Sequence, residues 1–157
     1  MNPKTLIAYF SYSGTTAEMA RVISERTGGD LFEILPARPY AKSYNACVSE
    51  AKLEKGREAR PLLAENLPEE KLAAYDTIFV GYPIWWYDAP MILYTFLESH
   101  DWKGKTIVPF ATSGGSGFSG SEEKIAEITG ADVKKGLLLV GAASQDRIDE
   151  WLKSVGA

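Results

Sequence analysis

One cysteine and one histidine serve all 157 residues, and no lysine- or arginine-rich block is present. Cys47 has no second thiol for an internal disulfide, which fits a reducing compartment. With His100 the only imidazole, no soft metal cluster can be assembled, and the carboxylates are scattered rather than paired. The same scarcity leaves no His–Asp–nucleophile set, and no Gly-x-Ser-x-Gly elbow occurs. Gly104-Lys105 lacks the preceding glycine spacing of an NTP loop. A net charge of −4 argues against a nucleic-acid partner. No apolar run approaches the roughly 20 residues of a membrane span, and no secretory h-region follows Met1-Asn2-Pro3-Lys4. The expectation is a cytoplasmic chain with no metal, no nucleic acid, no membrane and no catalytic side-chain constellation.

What is present is ordinary for a globular protein: 45% hydrophobic and 24% charged residues, in a length that fits one domain over 1–157. Apolar runs at Leu6–Phe10, Leu31–Leu35, Thr77–Gly81, Thr106–Phe110 and Gly136–Val140 predict five strands. Helical patterns begin near Thr15, Ala41, Ala89, Ser121 and Ser144. This alternation predicts an α/β fold, a parallel sheet with helices on both faces. A ligand loop directly after the first strand suits the order 2-1-3-4-5, with ligands beyond the carboxyl ends of the strands where that order reverses. Residues 36–72 form an extended connection between the second and third strands, punctuated by Pro36, Pro39, Pro61 and Pro68.

Three loops would meet at that edge. The first, Ser11-Tyr12-Ser13-Gly14-Thr15-Thr16, sets four hydroxyls around a glycine between a strand and a helix. Backbone N–H groups, the helix dipole and hydroxyl donors at such a turn can hold a phosphate without lysine. Taken singly, Thr15 or Thr16 reads first as a helix cap. The second loop runs Tyr82-Pro83-Ile84-Trp85-Trp86-Tyr87-Asp88-Ala89-Pro90. Its three consecutive aromatics suit either a flat aromatic ligand or a core or dimer contact. The third, from Ala111 through Thr112, Ser113, Gly114 and Gly115 to Gly120, lets the backbone approach a ligand closely, and its later half caps the next helix.

Other residues read as structural. Lys52, Lys55, Arg57 and Arg60 alternate with Glu50, Glu54 and Glu58, as on a solvated helix face. His100 reads as a surface residue at a helix C-terminus, Trp102 and Trp151 as packing residues, and Cys47 as a small core or interface residue.

Ser11 to Thr16 resembles the flavodoxin phosphate signature, and the aromatic and Thr/Ser-Gly-Gly loops occupy the positions of that family's two flavin-ring loops. The chain most resembles flavodoxin-like proteins with a Pro-Ile-Trp-Trp loop and a Tyr-rich insertion ending in Arg-Pro, here Pro39-Tyr40 to Arg60-Pro61. The resemblance implies a flavodoxin-like three-layer sandwich binding FMN. Ser11, Ser13, Gly14, Thr15 and Thr16 would hold the phosphate. Pro83, Ile84, Trp85, Trp86 and Tyr87 would line the isoalloxazine, and Thr112, Ser113, Gly114 and Gly115 would take its pyrimidine side. Asp88 near the ring would lower the potential by charge repulsion. The function implied is electron transfer to redox partner proteins or small acceptors, as a monomer or homodimer. The alternatives are a small FMN oxidoreductase using a nicotinamide donor on quinones or nitroaromatics, with Tyr40 and Tyr44 contributing if their segment folds back, and a flavin-free binding domain.

Overall fold

The computed structural model describes residues 4–12, 14–85, 88–113, 117–118, 120–140 and 145–156, and for Tyr44 the backbone alone. Ser13, Trp86, Tyr87, Gly114 and Gly115, all expected at the site, lie outside the described residues. The elements are β1 (Thr5–Tyr9), α1 (Thr15–Thr27), β2 (Asp30–Glu33), α2 (Tyr44–Arg57), α3 (Glu69–Leu72), β3 (Thr77–Pro83), α4 (Met91–Glu98), β4 (Thr106–Ser113), α5 (Ser121–Thr129), β5 (Asp132–Val133), β6 (Leu137–Val140) and α6 (Gln145–Ser154). The sheet is parallel with strand order β2-β1-β3-β4-β5, and β6 also pairs with β4.

Strand alternation divides the core between two faces. Leu6, Ala8, Ile78, Val80 and Ile107 pack with Ile92, Leu93 and Phe96 of α4 and Ile125 of α5. Ile7, Phe79, Val108 and Phe110 pack with Met19, Ala20 and Ile23 of α1 and Ile148, Trp151 and Leu152 of α6. The apolar positions of α1 share one side of that helix, and its end is closed by the Gly28 N–H donating to the Ser24 carbonyl at 2.8 Å. Trp102 and Trp151 are buried as expected, each indole N–H donating to a carbonyl, of Leu97 and Lys135. Cys47 is buried, and that burial pushes its thiol above the ordinary range.

The expected fifth strand arrives in two pieces. Val133 lies opposite Ile107 and Leu137 opposite Phe110, so three residues of the edge face two of β4, as in a β-bulge. The Ile107 carbonyl accepts from the Lys134 N–H at 2.8 Å, and by strand alternation Pro109 faces the same edge. Proline has no N–H to give there, and the ladder breaks beside it.

His100 is also placed differently from expectation. Its side chain is 1% exposed rather than at the surface, with Nδ1 bonded to the Glu69 carboxylate and Nε2 at 3.0 Å from Asn66 Oδ1. The edges of Phe96 and Trp102 enclose the ring. The short α3, which no sequence pattern announced, brings Glu69 to it.

Tyr75 ties the connection to β2 by donating to the Asp30 carboxylate at 2.6 Å. That bond, then burial, raises the phenol to about 12 from 10.0. Between those values the phenol ionises in the unfolded chain and stays protonated in the native one. Folded stability therefore falls as pH rises through this window. Tyr75→Phe is expected to remove that part of the alkaline loss. Denaturant melts at about pH 9 and about pH 11 check it: the variant should lose less stability than the parent between the two.

Candidate functional site

Because β1, β3 and β4 are adjacent and parallel, the loops that follow them leave from one edge of the sheet. Strand order reverses between β1 and β3, where a crevice forms. Backbone bonds hold the loops side by side. The Phe10 N–H donates to the Gly81 carbonyl at 3.0 Å, and the Ile84 N–H to the Thr112 carbonyl at 2.9 Å.

The first loop turns at Gly14, whose φ of 99° lies in the left-handed region that a side chain disfavours. Ser11 Oγ accepts from the Gly14 N–H at 3.2 Å and closes the turn. The first bond of α1 runs from the Glu18 N–H to the Gly14 carbonyl, so the N–H groups of Thr15, Thr16 and Ala17 project from the helix end. The residue at the cap position is Gly14, which has no side chain of its own to close that end.

The hydroxyls of Thr16 and Thr112 meet at 2.6 Å, both buried, and join the first loop to the third beneath the crevice. Their hydroxyls brace the two loops against each other. Thr16→Val or Thr112→Val alone leaves the other hydroxyl unpaired in the interior, at a cost of about 1–3 kcal/mol. The double variant is expected to lose less than the two singles summed. Denaturant melts of the four proteins test this, and strict additivity would contradict the brace.

The second loop folds back on itself at its tip. The Trp85 N–H donates to the Asp88 carbonyl at 2.8 Å and the Asp88 N–H to the Trp85 carbonyl at 3.1 Å. Trp85 is half-buried, and three rings meet it edge-on: Phe10 at 5.4 Å, Tyr12 at 5.9 Å and Tyr40 at 5.2 Å between centroids. Pro83, Ile84 and Ser113 are half-buried on the same edge. Tyr12 reaches across the site and donates to the Ala41 carbonyl at 2.5 Å. Tyr40 brings the long connection back onto the loop, and its hydroxyl donates to the Glu54 carboxylate. Burial, then that bond, holds the Tyr40 phenol well above its usual range, and burial also raises Glu54.

Phe10 was missed as a site residue, although strand alternation from Leu6 and Ala8 already set its face. Asp88 is held by its neighbours. Its carboxylate accepts from the Tyr94 hydroxyl at 2.5 Å and the Ala89 N–H at 2.8 Å, and stands 3.6 Å from the Lys124 ammonium. Two donors and a cation thus meet this carboxylate inside the fold. It is the only charged side chain among the described residues of the three loops.

The site therefore brings a helix start, a half-buried indole and a run of hydroxyls to one edge, with the Asp88 carboxylate engaged inside the fold. Such a donor set suits an anionic group joined to a flat ring. No group of histidine, cysteine and carboxylates able to hold a metal occurs among the described residues, and no described helix is long and apolar enough to cross a membrane.

The flavodoxin family model matches residues 4–155. Among solved structures, a candidate flavoprotein from Bacteroides eggerthii is 40% identical, with 99% of each chain covered and a TM-score of 0.88. Another from Bacteroides uniformis is 42% identical, covering 98% of this chain and 99% of its own, with a TM-score of 0.87. A flavoprotein from Lactobacillus acidophilus, solved in complex with FMN, shares the fold at 23% identity, covering 96% of this chain and 99% of its own, with a TM-score of 0.72. No curated protein matches the chain.

Proposed function

The chain belongs to the flavodoxin family, and from that premise we propose that it binds FMN non-covalently and works as an electron carrier between redox partners. The observation that carries this is the meeting of Trp85 with Tyr12, two residues from the turn at Gly14. It brings the aromatic loop next to the helix start, which supports a ring-binding role for the one and a phosphate-binding role for the other. The residues fit the cofactor. On this reading a phosphate dianion takes donors from Ser11, Ser13, Gly14, Thr15 and Thr16, the last through its backbone N–H because its hydroxyl is bonded to Thr112, while Glu18 in the first turn of α1 is paired with Arg21 and Asp88 is held by Tyr94 and Lys124.

Pro83, Ile84, Trp85, Trp86 and Tyr87 are assigned to the ring, and Thr112, Ser113, Gly114 and Gly115 to its pyrimidine side. When bound, FMN supplies transfer of one or two electrons, and the protein tunes its potential and access. The chain's own part is to orient the ring and to exclude water from one side of it. Phe10, Tyr12 and Tyr40 hold Trp85 from three directions, so the indole is fixed before a ligand arrives. Thr16 and Thr112 set the spacing of the loops.

One observation favours a second reading, an FMN-dependent oxidoreductase acting on quinones or nitroaromatics. Tyr40 folds back over the aromatic loop, as the wall of a substrate pocket would. Consumption of NADH and NADPH with a soluble quinone separates the two. The carrier reading expects no turnover above that of free FMN. Saturable turnover that depends on the protein would replace it with the enzyme.

A further inference from the structure

Away from the three loops, the connection between β2 and β3 encloses a cleft of about 670 Å³. One wall is the stretch 37–40, and another is the face of α2 bearing Leu53, Glu54 and Arg57 at helical spacing. Residues 59–62 close it. These walls are tied to the fold. The Ala37 N–H donates to the Leu62 carbonyl at 2.7 Å, and the Ala64 N–H to the Leu35 carbonyl at 2.8 Å. Arg60 donates to the Glu98 carboxylate at 2.8 Å and anchors its wall to α4.

Two features of the lining lack partners. Leu53 and Leu62 are 57% and 77% exposed, large apolar side chains that folding leaves wet. The side chains of Arg38 and Arg57 make no hydrogen bond or ion pair among the described residues, although Arg60 beside them is engaged by Glu98 and two carbonyls. Of the lining carboxylates, Glu54 already accepts from Tyr40. The surrounding charge points the same way: residues 36–62 hold six basic and three acidic residues, against eleven and eighteen in the rest of the chain.

We propose that this cleft binds a compact organic carboxylate, its charge forked by Arg38 and Arg57 and its apolar body laid on Leu53 and Leu62. Guanidinium groups match a carboxylate bidentately. Glu50 and Glu54 on the α2 wall repel a dianion more than a monoanion, which selects carboxylate over phosphate. Tyr40 lines the cleft and also packs on Trp85, so an occupant sits one side chain away from the aromatic loop. Binding in the cleft does not depend on the flavin reading.

Amide NMR titrations of the whole protein with 2-naphthoate, 2-naphthamide and inorganic phosphate, each with and without added FMN, test the proposal. 2-Naphthoate is expected to shift the amides of Ala37, Arg38, Tyr40 and 53–57 saturably, whether or not FMN is present. 2-Naphthamide, the same shape without charge, is expected to bind at least about tenfold more weakly, and Arg38→Gln with Arg57→Gln should weaken naphthoate by about the same factor. Phosphate is expected to leave these amides unmoved. Equal binding of the amide and the carboxylate would overturn the proposal. So would shifts confined to the aromatic loop, or indifference of naphthoate to the double substitution. Failure of FMN to bind leaves all these readouts intact, so the two readings fail separately.

Discussion

Gly81→Ala is expected to destabilise the protein by about 3 kcal/mol, the upper end for overpacking in a core. Gly81 lies opposite Phe110 in the β3–β4 ladder, and a Cβ built on it falls 2.1 Å from Phe110 Cζ and 2.2 Å from Cε2. Neither side can yield. The β3 strand is held between β1 and β4, and Phe110 is fully buried among residues of α1 and α6. For a chain of this size that loss lowers the melting temperature by roughly 6–12 °C. Phe110→Leu alone opens a cavity and also destabilises. In the Gly81→Ala background it relieves the overlap, so the double variant should be more stable than the summed singles by over about 1 kcal/mol. A Gly81→Ala protein as stable as its parent would show that the ring does not lie across this glycine.

Trp85→Ala is expected to weaken FMN by roughly 30- to 1000-fold, the 2–4 kcal/mol typical of a central aromatic anchor. Two losses combine: the indole face offered to the ring, and the anchor to Phe10, Tyr12 and Tyr40 that fixes the loop. Riboflavin should be weakened by a similar factor, because the lost contact is with the ring system both ligands share. Trp85→Phe keeps an apolar ring in the nest and is expected to recover part of the affinity. Flavin fluorescence titrations of the three proteins read this directly. Unchanged affinity in Trp85→Ala would remove the aromatic loop from the site.

The parts legible in the sequence were those encoded by neighbours along the chain. Buried strands followed by hydroxyl- or aromatic-rich turns located all three loops, strand-helix alternation gave a parallel sheet, and the ligand loop directly after the first strand gave its order. Strand ends were less legible. The strands β3 and β4 continue to Pro83 and Ser113, beyond their apolar runs, because the ladder between them extends there. The split of the last strand depends on which edge Pro109 faces, a fact of register that periodicity does not contain. His100 was misplaced for a related reason. It is covered by Glu69 and Asn66 from about thirty residues away. A local reading of this residue sees only an exposed polar side chain near a helix end. Tyr40 shows the opposite case: the sequence offered it as conditional on folding back, and packing met the condition.

The most direct test of the three-loop site compares FMN with riboflavin on the unmodified protein, each titrated at equilibrium by quenching of flavin fluorescence. FMN is expected to bind tightly and riboflavin at least about 30-fold more weakly, the roughly 2 kcal/mol that charge-assisted bonds to the phosphate contribute. Equal affinity for the two would mean that the helix start at Gly14 does not grip the phosphate. No binding of either would mean that Trp85 and its neighbours were assembled for something other than a flavin.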